Sequence, residues 1–184
     1  MSTKYKFADQ HKAYFVSFAT VNWIDVFTRN EYRQIVVDSI KHCQREQGLL
    51  VYAWCIMPNH VHLIMGTDKM PMEAIMRNMK RHTSRELRKA IAEHPAESRK
   101  EWIVWMMERA GKRNPNNNEW QFWQQDNHPI ALSHPDMWKQ KMDYIHNNPV
   151  VAGYVSSPEH YLWSSAFDYA GSKGMIDIIA VGVL

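Results

Sequence analysis

The 184 residues are enough for one domain with its own core, and 45% are apolar, which excludes wholesale disorder. No run of about 18 apolar residues occurs, so a membrane-spanning helix is excluded, and Met1 to Lys12 lacks the apolar stretch of a secretory leader. Net charge is only +3, yet eleven Lys/Arg against five Asp/Glu fall between Arg77 and Arg113.

Such a basic block is either the footprint of a polyanion or a solvated helix face. Cys43 and Cys55 are far apart and form no metal-type spacing, which fits a reduced, cytoplasmic protein. Residues 13–20, rich in aromatic and β-branched side chains, predict a first strand. Asn30 is placed to cap a helix over 31–46, striped by Tyr32, Ile35, Val36, Ile40 and Cys43 and ended by Gln47-Gly48. Leu49 to Met57 predicts a second strand, Pro58-Asn59 a turn, and His60 to Met65 a third strand antiparallel to the second.

Met72 to Glu93 reads as a helix with a basic exterior, while Arg113 to Asn118 reads as a loop. We treat about 94–120 as an insertion or excursion from a single domain spanning 1–184. Trp120 to Leu132 has room for one short strand. Ser133-His-Pro-Asp136 has capping-box spacing and opens a helix to Asn147 or Asn148, where Pro149 limits continuation. The aromatic tail from about Val155 packs back on the domain. This order predicts an α+β fold: a ferredoxin-like antiparallel sheet with helices packed on one face.

In His60-Val61-His62, side chains two apart on a strand point to the same face. Two neutral imidazoles so placed can share a metal ion; the alternative is a pair of surface histidines. Tyr144-Ile-His-Asn-Asn148 ends the last long helix, and a spacing of four puts Tyr144 and Asn148 on one side. A phenol with a pKa of about 10 needs help to act as a nucleophile at neutral pH. Taken alone, Tyr144 reads as an ordinary packing residue of the helix.

Two segments, Met57-Pro-Asn-His-Val-His-Leu-Ile64 and Tyr144-Ile-His-Asn-Asn-Pro-Val150, resemble the paired motifs of the REP-associated tyrosine transposases. These belong with the small insertion-sequence transposases of the HUH single-strand endonuclease group. The resemblance extends to the basic helix with Lys80 and to Trp163-Ser-Ser165. It implies a divalent metal, Mg2+ or Mn2+, held by His60 and His62. Tyr144 would then form a 5′-phosphotyrosine link and release a 3′-hydroxyl. Asn148 matches the third ligand, with His146 as the alternative. Val151 stands where relatives often carry a basic residue, and the stretch from Glu97 to Asn118 looks longer than the family core.

Single-stranded DNA hairpins are the implied partner, and aromatic platforms with cations are the equipment such a partner requires. Arg77, Lys80, Arg81, Arg85, Arg88 and Lys89 are the candidate cations; Trp102, Trp105, Trp120 and Trp123 form a pool of candidate stacking residues. A non-catalytic nucleic-acid-binding regulator and a hydrolytic metallonuclease are the competing readings. Monomer and homodimer both remain open.

Overall fold

The computed structural model describes residues 7–114 and 119–182. Four strands, β1 (Tyr14–Ala19), β2 (Leu49–Ile56), β3 (His60–Thr67) and β4 (Ile130–Ala131), form one sheet in the order β2-β3-β1-β4. Every pairing is antiparallel. Helix α1 (Asn30–Gln47) joins β1 to β2, and α2 (Met72–Glu93) follows β3. Up to β4 this is the β-α-β-β-α-β order of the expected ferredoxin-like fold, with α3 (Lys100–Lys112) added between α2 and β4.

Alternation along β1 divides the core. Phe18 packs edge-on to Trp123 and lies beneath the Lys80 ammonium of α2. Phe15, three residues earlier and so on the other face, meets Tyr144 of α4 (Pro135–Val151). Helices α1 and α2 therefore cover one face, and α4 crosses the opposite one, an arrangement beyond the one-sided packing predicted from sequence. The aromatic tail closes the β2 edge: Trp54 and Ile56 exchange backbone hydrogen bonds with Ser165 and Trp163. That pairing removes an exposed strand edge.

Three local expectations are corrected. Asn30 does not cap α1; Arg29 occupies that position, and the Asn30 side chain instead accepts from Arg33. Ser133 does not cap α4 either, since the helix starts at Pro135 with His134 before it and no side-chain cap. Pro149 does not end α4, which continues to Val151. The proline falls in the last turn, where losing one N–H costs little regularity, and Gly153, at φ 76°, turns the chain away.

The 94–120 stretch holds a helix that is packed rather than loose. Ile103 and Met107 of α3 are fully buried. Glu97, 3% exposed, accepts from Arg29 Nε at 3.0 Å and from the Arg99 backbone at 3.2 Å, tying the start of α1 to the approach to α3. Of the expected loop, residues 115–118 lie outside the described residues.

Candidate metal and tyrosine site

Strand β3 lies between β2 and β1, and its alternation sends Val61, Leu63 and Met65 into the α1–α2 core. His60 and His62 emerge together on the α4 side. Small neighbours make room for their rings: Ser17 and Cys55 stand opposite His62 in the two flanking strands, and Ala19 opposite His60. The two imidazoles meet edge-on with centroids 4.5 Å apart. His62 also stacks on Phe15 at 5.6 Å.

Both histidines are held neutral. Burial lowers the His60 pKa to about 4. Burial, then the charges of His60 and Lys141, lower that of His62 to about 3. His60 Nδ1 lies 2.6 Å from Asn59 Oδ1, an oxygen that can only accept, so the ring proton sits on Nδ1 and the Nε2 lone pair stays available. A second partner that fixes the tautomer in this way is the usual support of a metal-binding histidine. His62 Nδ1 is buried without a hydrogen-bond partner, while its Nε2 faces the Asn148 amide at 3.4 Å. Among the described residues no group of three His, Cys, Asp or Glu side chains could hold a metal. The polar group beside the pair is of another type, the Asn148 amide, whose oxygen half a turn of the amide would bring toward His62.

Helix α4 delivers Tyr144 to the same spot. Tyr144 is 49% exposed, and its ring lies edge-on to His62 at 5.1 Å and to Phe15 at 5.9 Å. Because Pro149 leaves the helix intact, the four-residue spacing keeps Asn148 beside Tyr144. His146, two residues on, points to the other side of the helix and lies 2.9 Å from Ser165 Oγ against the Tyr169 ring. Burial lowers its pKa to about 4. The structure brings Asn148 to the histidine pair and not His146.

Sequence reasoning missed three residues here: Asn59, Phe15 and Lys141. The Lys141 ammonium lies 5.0 Å from the Phe15 ring centre and 5.8 Å from that of Tyr144. A cation three residues before a helical tyrosine shares its face, so spacing alone was a usable signal.

The six candidate cations of α2 are not equivalent. Arg77 and Arg81 line an open groove of about 910 Å³ between α2 and the 119–129 segment, and neither is ion-paired among the described residues. Glu73, Glu119 and Asp126 line it too, so its charge is mixed. Lys80 donates inward to Gln124 O (2.7 Å) and Asn127 Oδ1 (2.8 Å). Arg88 pairs with Glu108 and covers Trp120; Arg85 pairs with Glu86. Lys89 lines a smaller depression together with Asp38, Glu86 and Glu93. Of the tryptophans, Trp123 is core and donates to Thr83, whereas Trp102 and Trp105 on α3 are 47% and 51% exposed.

Comparison with known proteins bears on the family and the fold. No relative was found among curated proteins. A solved structure described as the REP-associated tyrosine transposase bound to a REP hairpin shares the fold, with a TM-score of 0.66 and 17% identity over 100% of this chain and 96% of that one. The family model for IS200-like transposases matches residues 10–107, a span that contains His60, His62 and all of α2 but stops short of Tyr144. That match covers more than half of the chain, which belongs to the IS200-like transposase family.

Proposed function

We propose that this transposase cleaves and rejoins single-stranded hairpin DNA of the REP type. Tyr144 is the nucleophile, and His60, His62 and Asn148 hold a divalent ion. The observation that carries this reading is the contact of the Tyr144 ring with His62, whose Nε2 faces Asn148. The donor set fits such an ion, and two imidazole nitrogens with one amide oxygen suit Mn2+ better than Mg2+. An ion bound there supplies Lewis-acid stabilisation of the phosphate under attack.

The chain's own residues account for the rest. Asn59 fixes the His60 tautomer, and Phe15 and His62 each meet the tyrosine ring edge-on and orient it. As the bond from Tyr144 Oη to phosphorus forms, the bond from phosphorus to the 3′ oxygen breaks, and the phenolic proton is balanced by the proton gained at the released 3′-hydroxyl. Reversal at another 3′-hydroxyl breaks the tyrosine–phosphorus bond and restores the phenol. One phosphodiester bond is exchanged for another, so no nucleotide cofactor is required. The Lys141 ammonium, beside both rings, offsets negative charge on the phenol oxygen and the phosphate. Arg77 and Arg81 are among the cations of α2 left unpaired among the described residues, and they meet the DNA backbone. Residues 1–184 act as one transposase domain, in which α3 packs beside α2.

Tyr144→Phe tests the reading on labelled hairpin DNA with Mn2+. We expect loss of both cleavage and the covalent adduct. Cleavage that survives the substitution would instead assign hydrolysis by an activated water, and no cleavage by the unmodified protein would assign a binding role alone.

A further inference from the structure

The segment that follows β1 carries a feature the proposed chemistry does not use. Residues 21–23 form a single 3-10 turn in which Asn22 and Trp23 both take positive φ, 53° and 55°. For asparagine this is tolerable; for a bulky side chain such as tryptophan it is a strained conformation. Trp23 gains no burial from it, being 56% exposed. The strain is held by the surroundings. Thr20 donates its hydroxyl to Ile24 O at 2.7 Å, Thr20 N donates to Asn59 O at 3.0 Å, and Arg99 Nη1 pairs with Asp25 at 2.8 Å. Asn59 spans both parts of the site: its Oδ1 accepts from His60 Nδ1, and its Nδ2 faces Trp23 O at 3.4 Å. The Trp23 ring stands edge-on to His60 at 5.8 Å. Through His60 and His62 it is the far end of a row of rings that ends at Tyr144.

Strain that the surroundings enforce, and that leaves a large apolar ring in water beside reactive groups, marks a place where a ligand supplies the missing contact. We infer that Trp23 is a base-stacking platform for an unpaired nucleotide next to the phosphate that Tyr144 attacks. The inference rests on the reading above for its DNA partner. A nucleobase is the occupant that fits, because its flat face needs no specific polar partner and the backbone running past Lys141 and the histidines leaves bases free to stack.

The test uses two probes, a DNA hairpin alone and the same hairpin with a single-stranded tail bearing 2-aminopurine at successive positions. Trp23→Gly removes the ring and accepts the positive φ; Trp23→Phe keeps a ring. For the glycine variant we expect affinity for the tailed probe to fall about 10-fold or more, the equivalent of one lost stack. The thermal midpoint should be unchanged or raised, and the hairpin alone should bind as before. The phenylalanine variant should retain most of the affinity, and 2-aminopurine quenching at one tail position should vanish with the ring. Equal binding of the tailed probe by wild type and Trp23→Gly would overturn the inference, as would equal loss on both probes. Adduct formation by the wild type, scored separately, reports on the transposase reading itself, so the two can fail independently.

Discussion

Helices α2 and α4 both carry side chains assigned to DNA chemistry, yet they deploy their polar groups in opposite ways. In α2 much of the charge is turned to internal use: Lys80 holds the 119–129 segment, Arg88 pairs with Glu108, and Arg85 is taken up by its neighbour Glu86. In α4 the polar residues divide by face. Tyr144 and Asn148 look toward the histidine pair, with Lys141 over the tyrosine ring, while His146 is locked to Ser165 on the other side. A count of charges thus overstates what α2 offers a polyanion, whereas the spacing in α4 gathers the residues of the proposed site on one face. Helical phase, which separates residues two apart by more than half a turn, explains why two neighbouring motif residues have different surroundings.

The largest effect expected from this contrast lies in α4. Asn148→Ala should weaken Mn2+ binding by at least the roughly 10- to 100-fold that loss of a supporting residue costs a metal site. His146→Gln should leave Mn2+ affinity as it was. It should instead lower the thermal midpoint by disturbing a part-buried hydrogen bond, an effect of about 0.5–1.5 kcal/mol. Titration of both variants with Mn2+ decides the matter; a weakened His146→Gln with an unaffected Asn148→Ala would exchange the two roles.

The next effect lies in α2. Arg77 and Arg81 are free to meet phosphates, so the double variant Arg77→Gln/Arg81→Gln should flatten the dependence of log Kd on log salt by about 0.7 for each lost contact with single-stranded DNA. Lys80→Gln should leave that slope unchanged, because its ammonium is spent within the protein. A slope change as large for Lys80→Gln as for either arginine would show that the α2 cations act as one patch.

Much of the fold was legible because periodicity and turn chemistry agree over long stretches. Met72–Glu93 emerges with the bounds its pattern implied, and the His60 strand follows from alternation after Pro58-Asn59. The helix caps were not legible: Asn30 and Ser133 are good capping types, but the chain enters each helix one residue away from them. The helix at 100–112 was hidden because much of what fixes it is distant in sequence, with Glu97 buried between Arg29 and Arg99 and the α3 apolar face lying against α2. In the site, His60, His62, Tyr144 and Asn148 were marked by the joint resemblance of two segments to family motifs, since type and spacing alone fit ordinary packing as well. Asn59 and Trp23 had no such mark, since their arrangement depends on a turn conformation and a tertiary contact that no local pattern encodes.

The smallest effect is the most specific test of how Lys80 is used. Burial lowers its pKa to about 8, against the attraction of Asp126, whereas an unfolded chain keeps its lysines near 10.5. Below pH 8 both states hold the proton and this group adds no slope to stability. Between about 8 and 10.5 the unfolded chain binds more protons, so the unfolding free energy of the wild type should rise with pH as the cost of burying the charge is relieved. Lys80→Met removes that contribution and leaves Gln124 O and Asn127 Oδ1 without their donor, a loss of about 1–3 kcal/mol offset in part by the absence of a buried ammonium. The stability gap between wild type and Lys80→Met, followed by urea denaturation from pH 7 to pH 10, should therefore widen in favour of the wild type as pH rises. A constant gap would mean that Lys80 keeps the proton affinity of an exposed lysine, and would return it to the surface cations that α2 presents to DNA.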